Sequence, residues 1–153
     1  MFAWLMRRAV AVLALGAICA LAAPSAPVAA ADPNSLYARL GGYDAIAAVT
    51  DDFIGRLATD PKLTKFFVGL SDSSKARVRQ LVVDQLCAAS GGPCIYLGRD
   101  MKTAHAGLGI TNSDWDAAVV DLGASLTKFN VGMREQRDLG AALTTLKADI
   151  VTK

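Results

Sequence analysis

The chain has 153 residues and a formal net charge of +2, and the basic excess comes entirely from Arg7 and Arg8. The remaining residues carry 14 basic and 14 acidic side chains. This neutral balance argues against nucleic acid as a main partner, because phosphate-binding surfaces normally show a basic excess or cluster.

Residues 1–31 predict a secretory signal peptide. Arg7 and Arg8 precede an apolar run over residues 9–23, and small residues follow up to residue 31. We expect cleavage after Ala30 or Ala31, which leaves a domain of residues 32–153 in the periplasm or outside the cell. The alternative is an uncleaved membrane anchor, although the apolar run is short for a bilayer span. Membrane contact would then come through this segment alone.

Residues 32–153 predict one all-α domain. Apolar residues recur at three- and four-residue spacing, and Gly and Pro fall in clusters between these runs. About 120 residues are enough for one core and one enclosed cavity. Helices are expected over about residues 33–40, 43–57, 61–67, from a cap within 71–74 to 90, 101–106, 112–129 and 133–150.

Several helix boundaries have recognizable signals. Asp60 and Pro61 predict the start of the third helix, as cap and first helical residue. Thr111 and Asp114 form a capping-box pattern, and the stretch 91–93, Gly-Gly-Pro, predicts a helix end. Two apolar stripes are expected to face inward: Ile46, Val49, Phe53, Ile54 and Leu57 on the second helix, and Val78, Leu81 or Val82, Gln85 and Leu86 on the fourth.

Two cysteines, Cys87 and Cys94, remain once Cys19 leaves with the signal segment. An even count in an exported protein suggests a disulfide. The bridge would tie the end of the fourth helix to the loop that leaves it. The alternative is a pair of buried free thiols.

His105 is the only histidine of the chain. A zinc site with two histidines is therefore impossible, and a Ser/His/Asp relay would have a single base. A heme iron, in contrast, needs only one imidazole from the protein on its proximal side. By itself, a histidine in an apolar helical chain is more often a packed or surface residue than a ligand.

Six motifs, in this order and spacing, resemble those of the truncated hemoglobins, most closely group 1 of that family. The similarity spans about residues 35–150 and implies a shortened globin with a two-over-two helical sandwich that encloses a heme. The motifs are Leu36-Tyr37-x-x-Leu40-Gly41-Gly42, Asp52-Phe53, Phe66-Phe67, Gly91-Gly92-Pro93, Tyr96-x-Gly98 and Met101-Lys102-x-x-His105-x-Gly107-x-Gly109-Ile110-Thr111.

The resemblance implies heme b with His105 as the proximal iron ligand. The absence of Cys-x-x-Cys-His disfavors covalent attachment. Lys102, Arg99 and Arg79 are candidates to meet the heme propionates, or else solvated surface charges. Met101 would touch the proximal face, or simply pack in the core. The full set of expected heme contacts is Phe53, Phe66, Phe67, Val78, Val82, Leu86, Met101, Lys102, His105, Ile110 and Trp115.

The chain departs from group 1 on the distal side of the expected heme. Ile54 stands where the family usually has a tyrosine that donates a hydrogen bond to bound oxygen. Val78 and Val82 occupy positions that are often polar. Gln85 is the only amide on this stripe, and it either reaches into the pocket or lies at its edge. The resemblance therefore predicts a largely apolar distal pocket of Ile54, Val78, Val82 and Gln85.

These observations favor a monomeric heme protein of the cell envelope that reversibly binds O2, NO or CO. The alternative is a heme enzyme, a nitric oxide dioxygenase or weak peroxidase that uses an external reductase, but such chemistry calls for polar distal groups. Electron transfer is a further alternative, although no second histidine exists for a bis-histidine heme. A helical domain of this fold without heme also remains open.

Overall fold

The computed structural model describes residues 32–153, so the signal-peptide prediction for residues 1–31 lies outside the described part of the chain. Over the described residues the domain is all-helical and contains no strand, as the sequence predicts. None of these helices combines the length and the apolar character needed to cross a bilayer. The helices are α1 (Leu36–Arg39), α2 (Gly42–Thr59), a 3-10 turn (Thr64–Phe66), α3 (Asp72–Ala89), α4 (Met101–His105), α5 (Asn112–Lys128), α6 (Met133–Thr144) and α7 (Lys147–Ile150).

The core lies where α2 packs against both α3 and α5. Burial of each aliphatic side chain there contributes about 1.5–3 kcal/mol relative to exposure. Because α2 contacts two other long helices, it is the central element of the domain. The buried members of this core are Ile46, Val49, Val83, Leu86, Cys87, Leu122, Leu126 and Leu139.

The predicted caps of the two long helices after the 3-10 turn are confirmed. The Ser71 side chain accepts a hydrogen bond from the Ser74 backbone N–H at 3.2 Å, before α3. Thr111 and Asp114 form a complete capping box before α5. At the other end of α3, Gly91 has a φ of +82°. Glycine adopts this left-handed conformation without strain, so the predicted stop at residues 91–93 is also present.

Two predicted helices are wrong in part. Asp60 acts as the predicted cap, since its side chain accepts from the Lys62 N–H at 2.7 Å. Residues 61–63 nevertheless form a turn and not an α-helix, because the backbone bonds of this segment mainly join residues three apart, as in a 3-10 helix. The final helix is not continuous over 133–150 but ends at Thr144. There the Thr144 and Thr145 hydroxyls donate to nearby backbone carbonyls at 2.7 Å. A short α7 follows and packs against α4.

The predicted inward stripe of α3 is also partly wrong. The residues of α3 that are buried in the core are Val83, Leu86 and Cys87, whereas Val78, Val82 and Gln85 are only half-buried. On a helix of 3.6 residues per turn, positions 78, 82 and 85 share one face and positions 83 and 87 lie on another. Leu86 lies between them. Thus α3 has a core face and a second, more open apolar face.

A charged cluster connects α2 to α5. Asp52 accepts hydrogen bonds from Arg56 at 2.7 Å, from Ser125 at 2.8 Å and from Lys128 at 2.5 Å. The Lys128, Arg56 and Ser125 donors hold the pKa of Asp52 well below its usual range. The cluster therefore favors the folded state when Asp52 is ionized.

Acid should also lower the free energy of unfolding by protonating Asp114, the carboxylate of the α5 capping box. The Lys65 ammonium, 2.8 Å away, and the Thr111 donors lower the pKa of Asp114 to about 2. A depressed folded-state pKa stabilizes the protein above the unfolded value of about 3.9, and this contribution is lost as the pH falls toward 2. We therefore expect the difference in unfolding free energy between wild type and Asp114→Asn to shrink as the pH falls from 5 to 2.

Urea unfolding followed by circular dichroism at each pH tests this expectation. Lys65→Gln is the matched control, because it removes the ammonium and leaves the capping box in place. Its unfolding free energy should keep part of the pH dependence that Asp114 gives the wild type. A wild-type advantage over Asp114→Asn that is the same at pH 5 and pH 3 would contradict the assignment.

Candidate functional site

His105 is the last residue of α4 and is half-buried. Its Nδ1 lies 2.8 Å from the Met101 backbone carbonyl. Because a carbonyl oxygen can only accept, Nδ1 carries the proton of the neutral ring and Nε2 keeps its lone pair. Among residues 32–153, no group forms a hydrogen bond with Nε2. A backbone carbonyl that fixes one ring nitrogen in this way is the usual second contact of a metal-binding histidine.

The helix that positions His105 has a cap that the sequence reasoning missed. The Asp100 Oδ1 accepts from the Thr103 backbone N–H at 2.8 Å, directly before Met101. An aspartate directly before the first helical residue was the available signal. The cap starts the helix at a defined residue, and one turn later the ring reaches the Met101 carbonyl.

The predicted heme contacts mostly remain partly exposed. Leu86 and Ile110 are buried, Leu86 as part of the core, and Lys102 is exposed. Large apolar side chains left uncovered in a small domain commonly mark a ligand site or an interface. The structure brings α2, the 3-10 turn and α3 together and packs α4 on α7. The half-buried members are Phe53, Phe66, Phe67, Val78, Val82, Met101, His105 and Trp115.

These residues fit a heme in their chemistry. The free Nε2 of a carbonyl-oriented imidazole suits iron, and partly exposed aromatic and aliphatic side chains suit a flat apolar ring. Within residues 32–153, no three His, Cys, Asp or Glu side chains are grouped as a metal site. A metal ion bound here would thus have one ligand from the protein, and a macrocycle would have to supply the others.

Of the three predicted propionate partners, one already has a carboxylate partner. Arg79 donates to both oxygens of Asp51, at 2.7 Å and 2.9 Å, and this pairing lowers the pKa of Asp51. Arg99 and Lys102 are exposed and form no ion pair with any residue in the range 32–153. They are therefore the cations available for an anionic group near α4.

The tyrosine hydroxyls of the chain are all engaged. Tyr37 accepts from the Tyr43 backbone N–H at 3.0 Å, Tyr43 accepts from the Gln80 amide at 2.9 Å, and Tyr96 donates to the Arg99 carbonyl at 2.8 Å. The chain has three tyrosines in total. Only the Tyr96 hydroxyl donates its proton in these contacts, whereas Tyr37 and Tyr43 act as acceptors.

The distal positions themselves are poor in donors. Ile54, Val78 and Val82 are half-buried and carry no polar group. The half-buried Gln85 makes no side-chain hydrogen bond to another residue of the described domain. Its amide is consequently the only one on this face that remains available to a ligand.

The predicted disulfide is present between Cys87 and Cys94, with their Cα atoms 5.8 Å apart. Cys87 is fully buried in the core. At Gly92, a Cβ atom would lie 2.7 Å from the Cys87 sulfur and would also overlap the Tyr37 ring, so only glycine fits there. Closing so short a loop contributes at most about 2–3 kcal/mol to stability.

Comparisons with known proteins cover nearly the whole described domain. The family model described as "Bacterial-like globin" matches residues 35–152. The chain is 33% identical over 122 residues to the group 1 truncated hemoglobin GlbN of Mycolicibacterium paratuberculosis, covering 80% of this chain and 88% of that protein. It is 32% identical to the GlbN of a Nostoc species, covering 78% of this chain and 99% of the relative.

A solved structure gives the same similarity in three dimensions. The truncated hemoglobin from Tetrahymena pyriformis, in its Fe(III) form, superposes with a TM-score of 0.72 at 25% identity. The superposition covers 78% of this chain and 99% of that one. The share of the chain left uncovered is close in length to the amino-terminal segment outside the described residues.

Proposed function

The chain belongs to the bacterial-like globin family, as a group 1 truncated hemoglobin with heme b as its cofactor, and on this premise we propose that His105 is its proximal iron ligand. The observation that supports this most directly is the 2.8 Å contact between Nδ1 and the Met101 carbonyl. It leaves Nε2 as the only imidazole nitrogen of the protein that can bind iron.

We further propose that the protein binds diatomic gases reversibly. When bound, heme supplies a ferrous iron with a coordination position for O2, NO or CO. His105 would hold the iron from one side. The half-buried aromatic and aliphatic residues would exclude water from the ring, while Lys102 and Arg99 would meet its propionates. Because His105 is the only histidine, no second imidazole competes for the remaining position.

The distal side should discriminate among gases by its lack of donors. Dioxygen gains more from a hydrogen bond than CO or NO does, since it becomes more negatively charged when it binds. A neutral hydrogen bond of this kind is worth on the order of 1–1.5 kcal/mol, roughly tenfold in affinity. With Ile54, Val78 and Val82 offering none, oxygen should be held weakly unless Gln85 supplies one. The same lack of polar groups weakens the case for a dioxygenase or a peroxidase.

We propose that the protein works outside the cytoplasm. The disulfide supports this location, because disulfides persist in oxidizing compartments and are rare where thiols are kept reduced. The mature protein recovered from the periplasm or medium of its own cells should begin at Ala31 or Asp32, as measured by intact mass. A full-length chain retained with the membrane would instead favor an uncleaved anchor.

Absorption spectra of the purified protein test the proposed function. The protein as isolated should show a heme Soret band, and reduction followed by CO should shift that band, as expected for an iron with an accessible position. A protein purified from heme-supplied cells without a Soret band would refute the proposal. A reduced spectrum that CO leaves unchanged would show that an internal side chain occupies the gas position.

A further inference from the structure

We propose that the Cys87–Cys94 disulfide holds the segment that carries His105, the iron ligand, in position. The protein should therefore retain heme while this disulfide is intact and release heme faster once the disulfide is reduced. The inference depends on the proposed ligation by His105. It concerns residues 93–108, which we call the His105 segment. The segment contains α4 together with the irregular stretches on both sides of it.

Polar contacts within the His105 segment are all local. Tyr96 donates to the Arg99 carbonyl and His105 to the Met101 carbonyl, each at 2.8 Å. The remaining bonds join Asp100 to α4 and the Leu108 N–H to the His105 carbonyl. No hydrogen bond or ion pair from this segment reaches any other residue of the described domain. Polar contacts therefore do not hold it against the rest of the fold.

On its amino-terminal side, the segment is attached to α3 by the disulfide. Cys87 is fully buried among core side chains, whereas Cys94 is partly buried and packs against that core. The bond thus connects the buried face of α3 to a loop without helical structure. Gly92 allows the close approach, since the Cys87 sulfur and the Tyr37 ring fill the space where a side chain would be.

On its carboxyl-terminal side, the segment is held next to residues 152 and 153. The Ile110 carbonyl accepts from the Thr152 and Lys153 N–H groups, at 2.9 Å and 3.1 Å. Nearby, α7 packs against α4. With the disulfide intact, His105 lies between two attachments. Without it, one attachment remains, and the loop before α4 can leave α3.

Reduction of the disulfide is a balanced two-electron exchange. A dithiol reductant attacks the Cys94 sulfur, which is the less buried one, and the Cys87 sulfur leaves as a thiolate. The second thiol of the reductant then displaces Cys94 and closes the reductant's own disulfide. Two electrons and two protons have passed to Cys87 and Cys94. If the detached segment holds His105 in place for only about a tenth of the time, apparent heme affinity falls about tenfold.

Transfer of heme from the ferric protein to excess apomyoglobin measures retention. At a temperature well below unfolding, Cys94→Ser should lose heme about tenfold faster than the oxidized wild type. Treating the wild type with dithiol should raise its rate to that of the variant, and the same treatment should leave the variant unchanged. The double variant Cys87→Ala/Cys94→Ser should match the single one, which excludes an effect of the freed thiol.

Hydrogen exchange separates positioning from general destabilization. In Cys94→Ser, amides of residues 93–108 should exchange faster while those of α2 and α5 keep their rates. Equal heme transfer from oxidized and reduced protein would overturn the inference, and so would accelerated exchange spread evenly over all helices. Failure of the proposed function would look different, because either no heme would bind or the native spectrum would survive the loss of His105.

Discussion

Replacing His105 by glycine should remove most of the heme from the purified protein, and added imidazole should restore it. The substitution deletes the only imidazole of the chain and leaves a space for a free imidazole at the end of α4. The ratio of Soret to protein absorbance, measured before and after dialysis against imidazole, reports both effects. Full retention of the native spectrum without imidazole would contradict the proposed ligand.

Met101→Leu separates the backbone contact of Met101 with His105 from the apolar contact that its side chain is expected to make with the heme, because leucine preserves both. His105 contacts the backbone carbonyl of Met101 and not its side chain, so the substitution keeps both the hydrogen bond and the helix. Heme content should stay near the wild-type level. A loss as large as that of His105→Gly would mean that the methionine side chain itself holds the iron or the ring.

Ile54→Tyr should slow oxygen dissociation about tenfold or more, because it adds one hydrogen-bond donor worth on the order of 1–1.5 kcal/mol to the distal side. Carbon monoxide dissociation should change far less, since CO gains little from a hydrogen bond. Stopped-flow replacement measurements on the ferrous protein give both rates. Equal slowing of both gases would mean that the tyrosine acts by obstructing the exit and not by donating.

Two further variants test whether the hydroxyl of the new tyrosine is responsible and whether Gln85 already donates to oxygen in the wild type. Ile54→Phe supplies the aromatic ring without the hydroxyl, so it should show no selective effect on oxygen. Gln85→Leu removes the only amide on the open face of α3, which makes no side-chain bond within the described domain. If this variant releases oxygen much faster than wild type, Gln85 is a distal donor and the apolar description of the pocket is wrong.

The fold was largely predictable because its signals are local. Caps at Ser71 and Thr111 and the glycine pair at 91–92 are short motifs whose hydrogen bonds lie within one turn, and the structure contains all of them. The all-α class was predictable from the spacing of apolar residues, and the disulfide from the even number of cysteines left after the predicted signal segment. The identity of the site came from the resemblance, since one histidine alone does not distinguish a ligand from a surface residue.

The parts that could not be predicted depend on tertiary packing. The periodicity of α3 fits two adjacent faces, and only the position of α2 decides that Val83 is fully buried while Val82 packs at the edge of the core and is only partly buried. The packing of α7 against α4, after the break at Thr144, likewise exists only in the folded chain. Similarly, the sequence suggested Arg79 as a propionate partner, but Asp51 is brought close enough to bind it only in the folded chain.

The carboxyl-terminal residues complete the support of α4, so the order of synthesis matters for maturation. The two cysteines are only 7 residues apart and can be joined as soon as that stretch is exposed to an oxidant. The partners of α4 and Ile110, in contrast, are α7 and residues 152–153, which are synthesized after the other helices of the described domain. Heme loading should therefore wait until these residues have been synthesized, and the chain that accepts heme should already be cross-linked.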